Sequence, residues 1–195
     1  MRRVINLCVL ICAVVFSTSM KAADVLSVKI GTASTIHVSL SNAAIGQQLY
    51  LKSYEGDILF NVTLQPEKTF VKSFDLELLQ DGIYFVETET EFEIKVTPVL
   101  KNNKGVALIN NSVTTIFKPA IDKDNGMINV MFTNAEKSQV NLYIYDKEDV
   151  LLHEEVISKN EDIIKRSFDF SKVPSGEYKV YFKLKDRTFI ERVSI

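Results

Sequence analysis

The side chains best suited to chemistry in this 195-residue sequence are acids that alternate along one short stretch. Glu87, Glu89, Glu91 and Glu93 would lie on one face of an extended strand. Hard cations such as Ca²⁺ prefer several oxygen ligands. Calcium loops hold those ligands in turns, however, and alternating acids are more typical of a solvated strand face that discourages edge pairing. We therefore predict no metal site and no cofactor.

The two histidines are not spaced for metal binding or catalysis. His37 alternates out of phase with Ile36 and Val38, so it is expected to face away from a core. His153 follows two leucines and aligns with Asn61, and both histidines are predicted to be surface or edge residues. The sequence contains no Gly-x-Ser-x-Gly, His-Glu-x-x-His, Walker or dinucleotide-binding motif. We predict no catalytic residues and no enzyme, although residue types alone leave paired-carboxylate chemistry open.

Aromatic side chains are the remaining candidates for a binding surface. Tyr54, Phe85, Tyr145 and Tyr181 are predicted to point outward from strands. Exposed aromatics can bind sugars, but on a strand they more often pack or form an interface with protein.

Two similar stretches organise the chain, residues 74–86 and 168–180, and each reads as strand, corner, strand. Tyr84 and Tyr178 each stand two residues beyond a glycine, which is the tyrosine-corner pattern of Greek-key sandwiches. We predict that both are buried with bonded hydroxyls, rather than catalytic phenols.

An internal repeat extends this similarity. Residues 36–43 resemble residues 128–135, and residues 57–60 resemble residues 149–152, each pair 92 positions apart. A duplication of about 93 residues fits one sandwich per copy. We predict an all-β fold of two tandem immunoglobulin-like sandwiches with about seven strands each. The predicted units are residues 24–100 and 113–195, joined by a connection at 101–112.

Turn residues and alternating apolar residues give the strand positions. In the first copy, strands are expected near residues 26–30, 35–41, 48–53, 58–63, 69–76, 83–88 and 92–100. In the second copy, they are expected near residues 113–117, 128–133, 140–145, 150–155, 164–170, 178–184 and 188–194. Residues 124–126, Asp-Asn-Gly, predict a tight turn rather than a calcium loop. The connection at residues 101–112 is expected to contain a short hairpin, with residues 106–109 packed between the two units.

The N-terminus has the pattern of a secretory signal peptide. Arg2 and Arg3 precede an apolar run from Val4 to Phe16, which is too short to span a bilayer, and small residues follow. Cleavage is predicted near Ala22, or alternatively after Ser19. The expected location is secreted, periplasmic or in the cell envelope, with no membrane span in the mature chain.

Removal of this segment would change the composition. Both cysteines, Cys8 and Cys12, lie in it, so stability is expected to come from core burial without disulfides. Removing Arg2, Arg3 and Lys21 from 23 basic residues leaves 20 against 25 acidic ones, a formal charge of −5. This balance disfavours nucleic acid as a partner. A protein of the envelope or of the secretion machinery is the expected partner, and the oligomeric state stays open.

The second copy also resembles a known family. Residues 142–146, 150–151, 168–170 and 173–180 are similar to the C-terminal sorting domain of type IX secretion cargo, and to small secreted Bacteroidetes domains of unknown function. The first copy resembles the same pattern through residues 49–51, 57–58 and 81–86. The resemblance implies an immunoglobulin-like fold and export from a Gram-negative cell. We predict a structural or protein-binding role, with a sorting module or a carbohydrate-binding module as alternatives.

Overall fold

The computed structural model describes residues 24–32, 34–65, 69–109, 113–184 and 187–195, so the predicted signal peptide lies outside it. Within these residues the chain is all-β, with sixteen strands and no helix. The strands are β1 Val25–Ile30, β2 Thr35–Ser41, β3 Gln48–Ser53, β4 Ile58–Thr63, β5 Phe70–Asp75, β6 Gly82–Glu89, β7 Glu93–Asn102, β8 Gly105–Leu108, β9 Thr114–Phe117, β10 Ala120–Asp124, β11 Met127–Thr133, β12 Val140–Tyr145, β13 Leu151–Ile157, β14 Ile163–Asp169, β15 Glu177–Lys183 and β16 Thr188–Ser194.

The first sandwich packs the sheet β1-β2-β5 against the sheet β4-β3-β6-β7-β8. Strict alternation drives this packing, because Ile36, Val38 and Leu40 of β2 all point inward and are fully buried. Leu49 of β3 and Val86 of β6 meet them from the larger sheet. All the pairings are antiparallel.

The second sandwich repeats this plan with the sheets β10-β11-β14 and β13-β12-β15-β16. Its core contains Ile128 and Phe132 from β11, Leu142 from β12 and Phe182 from β15. Phe132 and Phe182 are packed with their ring centroids 5.9 Å apart. The predicted all-β fold of two tandem immunoglobulin-like sandwiches is confirmed, because each unit joins a three-stranded and a larger sheet with Greek-key order.

The strand near residues 113–117 differs from its predicted place. It was expected to begin the second copy, but β9 pairs with β7, with Ile116 opposite Ile94. The first strand of the second sandwich is β10, which the sequence analysis missed. The strand β10 is a mostly polar edge strand, with Asp122, Lys123 and Asp124 all exposed, so it lacks the apolar alternation that would predict it.

The expected hairpin at residues 106–109 is present, but it does not pack between the units. Strand β8 pairs with the end of β7. Val106 and Leu108 pack on the first core. That interpretation was therefore wrong, and it is β9 that packs between the sandwiches.

The Asp-Asn-Gly turn at residues 124–126 has the predicted form. It closes the hairpin of β10 and β11, where Asp124 pairs with Met127. Asn125 and Gly126 both have positive φ, 49° and 79°, as a two-residue hairpin turn requires.

Both tyrosine corners are confirmed. The hydroxyl of Tyr84 donates to the carbonyl of Gln80 at 2.8 Å, and that of Tyr178 donates to the carbonyl of Pro174 at 2.6 Å. Both rings are buried. These tyrosines fix the corner that leads into β6 and β15, the central strands of the two larger sheets.

Phenylalanine at Tyr84 or Tyr178 is expected to lower the free energy of unfolding by about 1 kcal/mol, because each hydroxyl satisfies a part-buried carbonyl. Urea unfolding of each variant measures the loss. The control is Tyr54→Phe, since the Tyr54 side chain is exposed. An equal loss in the control would show that the corner bond contributes nothing.

Candidate functional site

The outer faces of the two larger sheets have the same layout, because alternation in paired strands places equivalent residues together. In the first sheet, Glu87 lies opposite Val96 and Tyr50. In the second sheet, Tyr181 occupies the position of Glu87 and lies opposite Ile190 and Tyr143. We call the surface of Tyr50, Lys52, Phe85, Glu87 and Val96 the first outer face. We call the surface of Tyr143, Tyr145, Tyr181 and Ile190 the second outer face.

The second sandwich covers the part of the first outer face around Glu87 and Val96, and an open cleft remains beside it at Lys52 and Phe85. Glu87 is only 3% exposed. Its carboxylate accepts hydrogen bonds from Lys52 Nζ at 2.5 Å and from Arg187 Nη2 at 3.1 Å. Lys52 belongs to β3, whereas Arg187 precedes β16 in the second sandwich. The interpretation of Glu87 as part of a solvated strand face was therefore wrong, since the sequence gives the side of the sheet but not what covers that side.

Apolar side chains complete this contact. Ile94 and Val96 of β7 and Ile116 of β9 all belong to the same buried cluster as the second core. Phe85 packs against that cluster and is partly buried. Val99, three residues beyond Val96, faces the opposite side of β7 and is fully buried in the first core. Strand β7 therefore contributes to both cores.

The other alternating acids do not converge. Glu89 pairs with Lys118 at 2.6 Å, Glu93 pairs with Lys95 at 3.1 Å, and Glu91 is exposed. Burial lowers the pKa of Lys95, but hydrogen bonds to Asp24 and Glu93 outweigh it and leave this pKa raised. Among the described residues, no group of three or more His, Cys, Asp or Glu side chains is arranged to hold a metal ion.

The second outer face carries three neighbouring tyrosines, each half-buried, and no other sheet among the described residues covers them. The rings of Tyr145 and Tyr181 meet edge to face, with centroids 5.3 Å apart, and Tyr143 lies 6.3 Å from Tyr145. Ile190 beside them is 49% exposed. Tyr145 and Tyr181 were predicted to be outward aromatics. Tyr143 was not, although its alternation with Tyr145 in the sequence was a signal for it.

The other two predicted outward aromatics lie on the first sandwich. Tyr54 and Phe85 stack with their centroids 6.3 Å apart. Tyr54 is exposed, whereas Phe85 packs against the second sandwich. The four predicted aromatics therefore divide between the two sandwiches.

Neither histidine lies on these outer faces. His37 is exposed and its Nδ1 lies 2.7 Å from the hydroxyl of Ser73. His153 meets the ring of Phe168 edge to face at 5.0 Å, and the pair of Phe60 with Phe74 in the first sandwich has the same spacing of 5.0 Å. His153 therefore matches Phe60, and the predicted match to Asn61 was wrong by one position.

An ion-pair network joins the two sheets of the second sandwich next to His153. Arg166 of β14 donates to Glu155 of β13 through Nε and Nη2, at 3.0 Å and 2.7 Å, and to Glu161 through Nη1 at 2.8 Å. Hydrogen bonds from Arg166 hold the pKa of Glu155 below its ordinary value.

Methionine at Arg166 is expected to cost about 1 kcal/mol of stability at neutral pH, because this pair is partly exposed. A carboxyl group with a lowered folded-state pKa stabilises above its unfolded pKa and loses that effect as the pH falls through the folded value. The difference between wild type and variant should therefore shrink below about pH 4. Urea unfolding at neutral and acidic pH tests this, with Lys165→Met as the control. A difference independent of pH would contradict it.

Comparisons with known proteins find similarity only to solved structures. No family model and no curated protein matches it. A biofilm-associated protein BSP domain is similar at 15% identity and a TM-score of 0.29, over 87% of this chain. The chain spans only 29% of that structure's length. A segment of two fibronectin type III domains from chicken tenascin is similar at 14% identity and a TM-score of 0.32, over 88% of this chain and 98% of that one.

Within the described residues, no helix is long and apolar enough to cross a bilayer.

Proposed function

We propose that this is an exported, non-enzymatic protein that binds another protein through the second outer face. One observation carries the proposal. The first outer face already forms a protein contact with the second sandwich, through Glu87, Val96 and Phe85. Tyr181 and Ile190 occupy the matching positions of the second sheet, where Ile190 is exposed and Tyr181 is half-buried. Export is proposed from the signal-peptide pattern of residues 1–22.

The chemistry of the second outer face supports a protein partner. Tyrosines are enriched at the buried centres of protein interfaces, because they offer large apolar area and a hydroxyl at a low cost in side-chain entropy. Here three tyrosines lie on the rigid neighbouring strands β12 and β15, next to Ile190. A surface of this kind on paired strands is already organised for binding.

A photo-crosslinking amino acid in place of Tyr181 tests the proposal in cells of the natural source. We expect a covalent adduct that contains protein and migrates at a defined mass. The same amino acid in place of Val71 is the control, because Val71 is exposed on β5, in the three-stranded sheet of the first sandwich. Adducts of equal yield at both positions, or none at Tyr181, would overturn the proposal.

A carbohydrate partner is a second candidate, favoured by the cluster of three tyrosine rings. Glycan binding by the purified chain that disappears in both Tyr145→Ala and Tyr181→Ala would establish it. Binding that survives both changes would exclude this face as a sugar site.

The resemblance to sorting domains supports a narrower proposal, in which the second sandwich directs export. Because β9 pairs with the first sandwich, we propose that the second unit begins at Lys118 rather than at residue 113. A reporter joined ahead of residues 118–195 should then leave the cell. A reporter retained in the periplasm would contradict the sorting role.

A further inference from the structure

One contact inside the chain joins a loop end of the second sandwich to an outer face of the first. Each sandwich has a loop end, formed by the loop after its second strand and by the loop between β6 and β7 in the first sandwich or between β15 and β16 in the second. The first loop end is residues 42–47 and 90–92, and the described part of the second loop end is residues 134–139, 184 and 187. The second loop end docks on the first outer face, where Arg187 reaches Glu87 and Leu184 shares a buried cluster with Ile116.

No loop end or sheet among the described residues docks on the other two surfaces of this kind. The first loop end displays Ile45 and Phe92, which are 83% and 69% exposed. It is a fixed platform, because Gln47 bonds the backbone N–H of Ala44 and the carboxylate of Asp24. Lys95 bonds the same carboxylate. An exposed apolar loop end and a half-buried tyrosine face therefore occur in one chain.

The charges on these two surfaces are also complementary at one pair of positions. In the contact within the chain, the face carries the acid Glu87 and the loop end carries the base Arg187. On the other two surfaces the signs are exchanged at one pair of positions, because exposed Lys183 lies two residues from Tyr181 while the first loop end carries exposed Glu91. Elsewhere on the second outer face the charges are mixed, since Arg192 pairs with Glu177 and Glu154 lies opposite Tyr143. The exchange at Lys183 and Glu91 favours docking of the first loop end on the second outer face.

We propose that the partner of the second outer face is a second copy of this chain, which docks its first loop end there. This inference rests on the proposed function and names the partner. The two contacting surfaces differ, so the contact is heterologous. An assembly of any length therefore keeps a free second outer face at one end and a free first loop end at the other. The expected product is a chain of molecules joined head to tail.

Sedimentation velocity on the chain from residue 24 to 195 tests the proposal, at concentrations from about 1 to about 100 µM. We expect the sedimentation coefficient to rise with concentration. Phe92→Asp and Ile190→Asp should each abolish the rise, because each places a charge in the contact. Val71→Asp is the matched control, since it adds the same charge at an exposed site on the other sheet, and it should assemble as wild type does.

A mixture of the two inactive variants gives the decisive result. Phe92→Asp keeps an intact face and Ile190→Asp keeps an intact loop end, so together they should form a dimer that grows no further. Phe92 and Ile190 are both exposed, so the variants should fold, and circular dichroism checks this. Ile45→Asp and Tyr181→Ala form a second pair for the same mixing experiment. Wild type that stays monomeric, or a mixture that stays monomeric while wild type assembles, would overturn the inference. In the first case, a Tyr181 adduct with a different protein would leave the proposed function intact, whereas no protein adduct would remove both.

Discussion

Alanine at Ile116 is expected to lower the free energy of unfolding by about 2–4 kcal/mol, the usual cost of removing a buried isoleucine side chain. Ile116 lies on β9, whose backbone pairs with the first sandwich, but its side chain is buried in the cluster that forms the second core. The loss should therefore appear in both units. A chain of two independent sandwiches would confine it to one of them.

Hydrogen exchange followed by mass spectrometry makes this distinction. We expect faster exchange in β7 and β9 of the first sandwich, and in β11 around Phe132 of the second. Phe117→Ala is the matched control, because Phe117 is the next residue, faces the other way and is 37% exposed. It should cost less than about 1 kcal/mol. A control as damaging as Ile116→Ala, or faster exchange confined to β9, would show that Ile116 does not couple the two cores.

The positions of most strands could be predicted from the sequence, because alternation in a half-buried strand is a direct record of burial. In β2, the apolar residues Ile36, Val38 and Leu40 alternate with polar ones, and the strand has the predicted bounds. The corner tyrosines were also predictable, since Tyr84 and Tyr178 each follow a turn glycine at a fixed distance.

Partners of strands were harder to predict than the strands themselves. The pattern at residues 113–117 gives a strand but does not say which of two sheets it joins. Strand β9 joins the first sheet because Ile116 then lies opposite Ile94, and the two side chains together cover the second core. This information lies in residues about twenty positions apart and in the second sandwich, so a local pattern does not contain it.

The two outer faces show the same limit at the level of function. Alternation placed Glu87 and Tyr181 on outward faces, and both do lie there. The alternation of residues did not indicate that the second sandwich would cover Glu87 and leave Tyr181 uncovered by another sheet. The difference between a buried ion pair at Glu87 and a half-buried tyrosine cluster at Tyr181 is therefore set by the way the two units contact each other.

Alanine at Glu87 is the change that tests this contact most directly, and we expect it to cost about 2–4 kcal/mol. Removing one partner of a fully buried ion pair costs about 3–5 kcal/mol, because the remaining charge is left without compensation. Lys52 and Arg187 each keep 22% of their side-chain surface exposed, so water can partly replace the lost carboxylate. The expected cost is therefore somewhat below that of a fully buried pair.

Urea unfolding measures this loss, and two further variants assign its cause. Glu89→Ala is the matched control on the same strand. It removes a carboxylate that is 30% exposed and pairs with Lys118, and it should cost less than about 1 kcal/mol. Glu87→Ala combined with Arg187→Ala should cost less than the sum of the two single changes, because the second change removes a charge that the first has already left unpaired. Strict additivity would show that the two side chains do not interact, and the covered first outer face would then rest on apolar contacts alone.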